Sequence, residues 1–135
     1  GEENPINTGP ELFERYLEQF AEFESYRFQR LFVEEALRFS LQYGDDPAAD
    51  DALWNAAVQL RSSGRFQEAV ITLTELAARF PESERTAAAL LEIGELLIVE
   101  LDDGTYAEPF LERAIERYPE SATAKKARAL LLQGL

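Results

Sequence analysis

Between residues 46 and 81 the apolar positions recur at helical spacing in two runs, separated by a short polar break. In the first run Leu53, Ala57 and Leu60 fall on one stripe, the signature of an amphipathic helix. Asp46 before it suits an N-cap, because its carboxylate accepts from the free N–H groups of a first turn, and Pro47 suits the first helical position. Ser62, Ser63 and Gly64 close the run, since glycine takes a positive φ without steric cost. The second run extends from about Phe66 to Phe80, with Val70, Leu73, Leu76, Ala77 and Phe80 on its apolar face, and Pro81 stops it. Two helices joined by so short a turn pack antiparallel.

One such hairpin cannot bury its apolar face alone and needs a neighbour. The chain carries one. Phe80-Pro81-Glu82-Ser83 returns as Tyr118-Pro119-Glu120-Ser121 at an offset of 38, as do Ala69 in Ala107 and Leu73 in Leu111. A period in this range marks a helical solenoid. A helix capped by Ser83 is predicted to run to about Leu101. Gly94 inside it costs about 1 kcal/mol relative to Ala, which points to close approach of another helix. Thr105 with Glu108 reads as a capping box for the next helix, with Pro109 in its first turn. A last helix, about Ala122 to Gln133, closes the array.

Upstream, residues 1–9 read as an extended or flexible segment. Thr8 with Glu11 forms a capping box and Pro10 opens a helix. Residues 11–43 contain no Gly or Pro. Phe13, Tyr16, Phe20 and Phe23 share one helical phase; Phe28, Leu31, Phe32 and Ala36 share another. The slip predicts two helices with a turn near Ser25 to Arg27, or a single bent helix, and two are favoured. An aromatic stripe of this kind reads as core.

The order Ala57, Gly64, Phe66, Ala69, Leu73, Pro81 resembles the tetratricopeptide repeat, and so does Leu90, Ile93, Gly94, Leu97, Ala107, Leu111, Ala114, Pro119. The second unit departs in its turn (Asp102, Asp103, Gly104, Thr105), which reads as one residue longer, and the linker between units exceeds the minimal repeat. The aromatic-Pro-Glu-Ser linker resembles the subgroup found in bacterial envelope proteins, such as outer-membrane assembly lipoproteins and Tol-Pal-associated periplasmic proteins. The resemblance covers roughly residues 46–135. It implies an all-α fold of antiparallel hairpins stacked as a right-handed solenoid of about seven helices. The expected organisation is an extended segment 1–9, a degenerate aromatic-rich hairpin 10–45, repeats at 46–83 and 84–121, and a capping helix 122–135. A periplasmic or extracellular location follows from the same resemblance, with the cytoplasm left open.

Composition narrows the function by exclusion. A formal charge of −13 disfavours nucleic acid, whose phosphates demand a basic footprint, and an anionic membrane surface. No run approaches the ~20 apolar residues of a membrane helix. Cys and Met are absent, so thiol chemistry is out, and a chain without an initial Met reads as a processed product or an excised piece. With no His there is no Ser-His-Asp triad, HExxH zinc site or Glu-x-x-His di-metal motif. Asp45-Asp46, Asp50-Asp51 and Asp102-Asp103 lack the spacing of a calcium loop and read as caps and solvated turns. No cofactor, metal or enzymatic activity is expected.

What remains is binding. In tetratricopeptide arrays the first helix of each hairpin lines a concave groove. Carried onto this chain, the resemblance implies Asp51, Trp54, Val58, Arg61 and Ser62 in one unit, and Ala88, Leu91, Glu95, Ile98 and Val99 in the next. Spacing agrees for the first set, because Trp54, Val58 and Arg61 share the helix face opposite Leu53, Ala57 and Leu60. Trp54 is the only Trp, and Trp with Arg is common hot-spot chemistry; it either anchors a protein or peptide partner or packs on the first hairpin. A second possibility is self-association. Residues 1–51 hold 13 acidic and 4 basic side chains, whereas residues 121–135 hold 3 basic and no acidic ones. An acidic front and a back carrying Lys125, Lys126, Arg128, Leu131 and Leu135 could stack head to tail, a contact that does not close and so builds filaments.

Overall fold

The structure is a computed structural model that describes residues 27–44, 46 and 48–133. The first helix of the expected N-terminal hairpin, the capping box at Thr8 and Glu11, and Leu135 lie outside the described residues. Those described are helical, with no strand among them, and their stacked helices form a helical repeat solenoid. Six helices occur among the described residues, against about seven expected for the chain. Helix α1 covers residues 27–42. It is followed by α2 (Ala48–Ser62), α3 (Phe66–Arg79), α4 (Arg85–Glu95), α5 (Gly104–Arg117) and α6 (Ala122–Leu132). Arg27 is already helical, so it takes no part in the turn expected near Ser25 to Arg27.

From α2 onward each helix packs on its sequence neighbour. Helix α4 lies between α2 and α6. The core is built from alternating large and small side chains. Leu53, Leu60, Leu73, Leu76, Leu90, Ile93, Leu96 and Leu111 are fully buried, interleaved with Ala49, Ala56, Ala69, Ala89, Ala107, Ala114 and Ala127. Burying a Leu contributes about 1.5–3 kcal/mol; the alanines let neighbouring helices approach closely enough for the leucines to interdigitate. Val33 and Ala36 bring α1 into the same core, whereas Phe28, Leu31 and Phe32, read as core from their spacing, are exposed because the face of α1 that packs is the one carrying Val33 and Ala36. Gln29 Nε2 donates to Gln59 Oε1 of α2 at 3.2 Å. Arg79 reaches from the end of α3 to the Ser40 carbonyl of α1.

The caps fall partly where the sequence places them. The Asp46 carboxylate accepts from the Ala48 N–H at 2.8 Å, and Ser121 Oγ accepts from the Ala124 N–H at 3.0 Å. Ser83 Oγ accepts from the Arg85 N–H at 3.1 Å, one residue upstream of the N-cap position. The capping box expected at Thr105 and Glu108 does not form: α5 starts at Gly104, its N-cap is Asp103, and no side chain caps it. Pro109 therefore sits past the first turn and removes a hydrogen bond to the Thr105 carbonyl.

The two hairpins differ by one residue, and its position corrects the sequence reading. Both turns have the same shape at an offset of 38. Gly64 has φ +79° and its counterpart Asp102 has φ +49°, so Asp102 is the left-handed residue of the second turn. Asp is among the few non-glycine residues that accept this conformation. The extra residue lies in the helix before the turn, where Leu96–Glu100 winds as a single π-helical turn. The closing bonds record it: the Arg65 N–H donates to the Leu60 carbonyl at 2.9 Å, whereas the Asp103 N–H reaches one residue further back in register, to Leu97, at 2.6 Å. A helix can absorb an inserted residue as a π-bulge. The turn has no such freedom, because Ala107 and Leu111 on its far side are fully buried.

Candidate functional site

The seam between α2 and α4 holds two ion pairs that cross from one repeat to the next. Helical spacing puts Asp51, Trp54, Val58 and Arg61 on one face of α2, and the buried stripe Leu53, Ala56, Ala57, Leu60 turns that face outward. Arg85, Ala88 and Glu92 present the matching face of α4. Arg85 Nε donates to Asp51 Oδ1 at 2.7 Å, and its guanidinium lies 5.3 Å from the centre of the Trp54 ring, a cation–π arrangement. Two to three turns further on, Arg61 Nη1 donates to the Glu92 carboxylate.

Two open concavities lie along this seam. One, of about 590 Å³, is lined by Asp50, Asp51, Glu84, Arg85 and Ala88. The other, of about 520 Å³, is lined by Trp54, Val58, Arg61, Ser62, Phe66, Glu92 and Glu100. Trp54 is half-buried: it packs against the core and also lines the second concavity. Val58 is 40% exposed.

Of the α4 residues assigned from sequence, Ala88 lines the first concavity, whereas those after it turn away from it. Leu91 is only 8% exposed and belongs to the core, Ile98 packs against the core, and Glu95 is half-buried. Arg85, Glu92, Glu84 and Glu100 were not read as site residues. A usable signal existed: Asp51 with Arg85 and Arg61 with Glu92 are opposite charges about one repeat apart. The pair Asp50-Asp51 has structural partners, Asp50 accepting from Ser83 Oγ and Asp51 from Arg85. No group of three or more His, Cys, Asp or Glu that could hold a metal occurs among the described residues, and no helix among them is long and apolar enough to cross a membrane. At the far end, Lys125, Lys126 and Arg128 are exposed on α6 and Leu131 is half-buried; Arg128 donates to the Pro119 carbonyl at 3.0 Å.

Stacked helical hairpins with a polar seam between their first helices define a helical repeat protein of the interaction type. Residues 51–83 match the family model of the tetratricopeptide repeat, which supports a tetratricopeptide-type protein and, in general terms, a protein–protein interaction scaffold. Proteins of that family are typically non-enzymatic and bind proteins or peptides. No curated protein matches the chain.

Proposed function

We propose that this protein is a non-enzymatic scaffold that holds a protein or peptide segment along the α2/α4 seam, within a bacterial cell-envelope complex. The observation that carries the reading is Trp54. Its ring is held by the core and by the Arg85 guanidinium over it, yet lines an open concavity beside Val58 and Arg61. A large aromatic already held in place loses little conformational freedom when a partner covers it. The envelope setting rests on the aromatic-Pro-Glu-Ser linkers, which resemble those of periplasmic repeat proteins. Capture of partners from the native organism tests the reading: Trp54→Ala and Arg61→Ala should lose a partner that the parent protein retains, with helicity unchanged. Retention of every partner by both variants would refute it. Cell fractionation tests the compartment.

A second reading, head-to-tail self-association, draws on the two ends. Helix α6 exposes Lys125, Lys126 and Leu132, the last 87% exposed, and no further helix packs outside it among the described residues. At the other end α1 exposes Phe28, Leu31 and Phe32 beside Glu34 and Glu35. Sedimentation at high concentration decides this: a strict monomer removes it.

A further inference from the structure

The lining of the seam specifies what kind of segment it takes. The two concavities together present five carboxylates (Asp50, Asp51, Glu84, Glu92, Glu100) and two guanidiniums (Arg61, Arg85). Both guanidiniums are already engaged, Arg85 by Asp51 and Arg61 by Glu92. Asp50, Glu84 and Glu100 therefore keep unneutralised charge. They fall at the two ends of the seam: Asp50 and Glu84 beside the start of α2, and Glu100 next to Ser62 at its end. Between them lie Trp54, Val58 and Phe66. Lys125 and Lys126 belong to α6, which α4 separates from α2.

We infer that the seam binds a basic segment, with a cationic side chain at each end and a bulky apolar one in the middle. Asp50 and Ser62 are twelve residues apart on α2, about 18 Å at helical rise, which about six extended residues span. A cation entering at Asp50 and Glu84 meets two carboxylates without displacing Arg85, and a second meets Glu100. The central side chain covers the open part of Trp54 and Val58. An acidic segment would find its charges facing carboxylates at both ends, with every nearby guanidinium already paired. The inference rests on the α2/α4 seam being the binding surface.

Its test uses the full chain and the emission of Trp54, the only Trp. The probes are two end-capped six-residue peptides, one with lysines at both ends and leucines in the middle, the other with glutamates replacing the lysines. The lysine peptide should shift Trp54 emission saturably, and more weakly as salt shortens the Debye length from about 10 Å to about 3 Å. Combined Glu84→Gln and Glu100→Gln, both at exposed positions, should lower its affinity about fivefold, as two exposed charge pairs predict. Equal binding of the glutamate peptide with the same shift in Trp54 would overturn the charge specificity and leave the seam as the site. Heat of binding from the lysine peptide with Trp54 emission unchanged would overturn the seam as well. Absence of both signals for the lysine peptide at about millimolar concentration, where the weakest specific contacts still register, would overturn the inference alone.

Discussion

Gly94 of α4 faces Leu111 of α5 so closely that a Cβ at position 94 would stand 2.8 Å from Leu111 Cγ. Leu111 is fully buried and has no room to swing aside. The counterpart of Gly94 in the first hairpin is Ala57, which is nearly buried against α3. The second hairpin is thus closed more tightly than the first, and glycine is the residue that permits it.

Gly94→Ala should therefore destabilise the protein even though alanine is the better helix former by about 1 kcal/mol. Overpacking costs about 1–3 kcal/mol, leaving a net loss of about 1 kcal/mol. In a Leu111→Ala background the same change should become neutral or stabilising, because the clash is gone. Urea unfolding of the four proteins measures the coupling; additivity would show that the contact is not strained.

The π-helical turn carries one residue more than the first hairpin needs. Deleting Val99, which is 69% exposed, should convert the turn to plain α-helix and leave the Asp102 turn and the Leu111 packing in place. Stability should change by no more than about 1 kcal/mol, the range of surface changes. Deleting Gln59 from α2, where no bulge exists, should cost several times more, because it rotates Leu60 out of the core. Thermal unfolding of the two deletions compares them.

Trp54→Ala should cost about 1–2 kcal/mol, below the 3–5 kcal/mol of a fully buried aromatic, because part of its ring already faces water. Circular dichroism should retain full helicity and a single cooperative melt. Loss of the folded state would assign Trp54 to the core alone.

The cross-repeat ion pairs are exposed enough to be screened. Arg61→Ala should cost about 0.2–1 kcal/mol, the range of exposed pairs. Arg85→Ala should cost more, since it also loses the Trp54 ring, worth about 0.5–1 kcal/mol at an exposed site. Raising salt should narrow the difference between the parent and Arg61→Ala.

Glu112 lies one helical turn from both Glu108 and Glu116 on α5. Partial loss of hydration, then the charge and hydrogen bond of Glu108 and the charge of Glu116, push its carboxyl above the ordinary glutamate range. A folded pKa above the unfolded one means that ionising this group opposes folding. The contribution is favourable at low pH and is lost as pH rises through the folded value. Glu112→Gln should thus raise the melting temperature slightly at neutral pH and leave it unchanged in acid, where the carboxyl is protonated in the folded and unfolded chain alike. A gain that is the same at both pH values would contradict the sign.

Much of the hairpin architecture was legible because helical periodicity and chain breakers act locally. Leu53, Ala57, Leu60, Leu73 and Leu76 announce buried faces by spacing alone, and Gly64 and Pro81 mark a turn and a stop through their own backbone restrictions. The repeat of Phe80-Pro81 in Tyr118-Pro119 then implies stacking, since one hairpin leaves an apolar face uncovered. The outward face of α2, with Trp54, Val58 and Arg61, follows from the same period.

Tertiary packing decided the rest. An added residue between Gly94 and Ala107 can be absorbed by a turn or by a helix, and only the buried fit of Leu111 against Gly94 forces it into the helix as a π-turn. The face of α4 that meets α2 depends on how far the two helices are rotated about their axes, which local spacing does not encode. Leu91 therefore went into the core, and Arg85 and Glu92 came to the seam. Sequence alone determined which faces are apolar, because that depends on neighbours three and four residues away; which polar residues meet across repeats depends on helix approach and rotation, and those exist only once the hairpins are stacked.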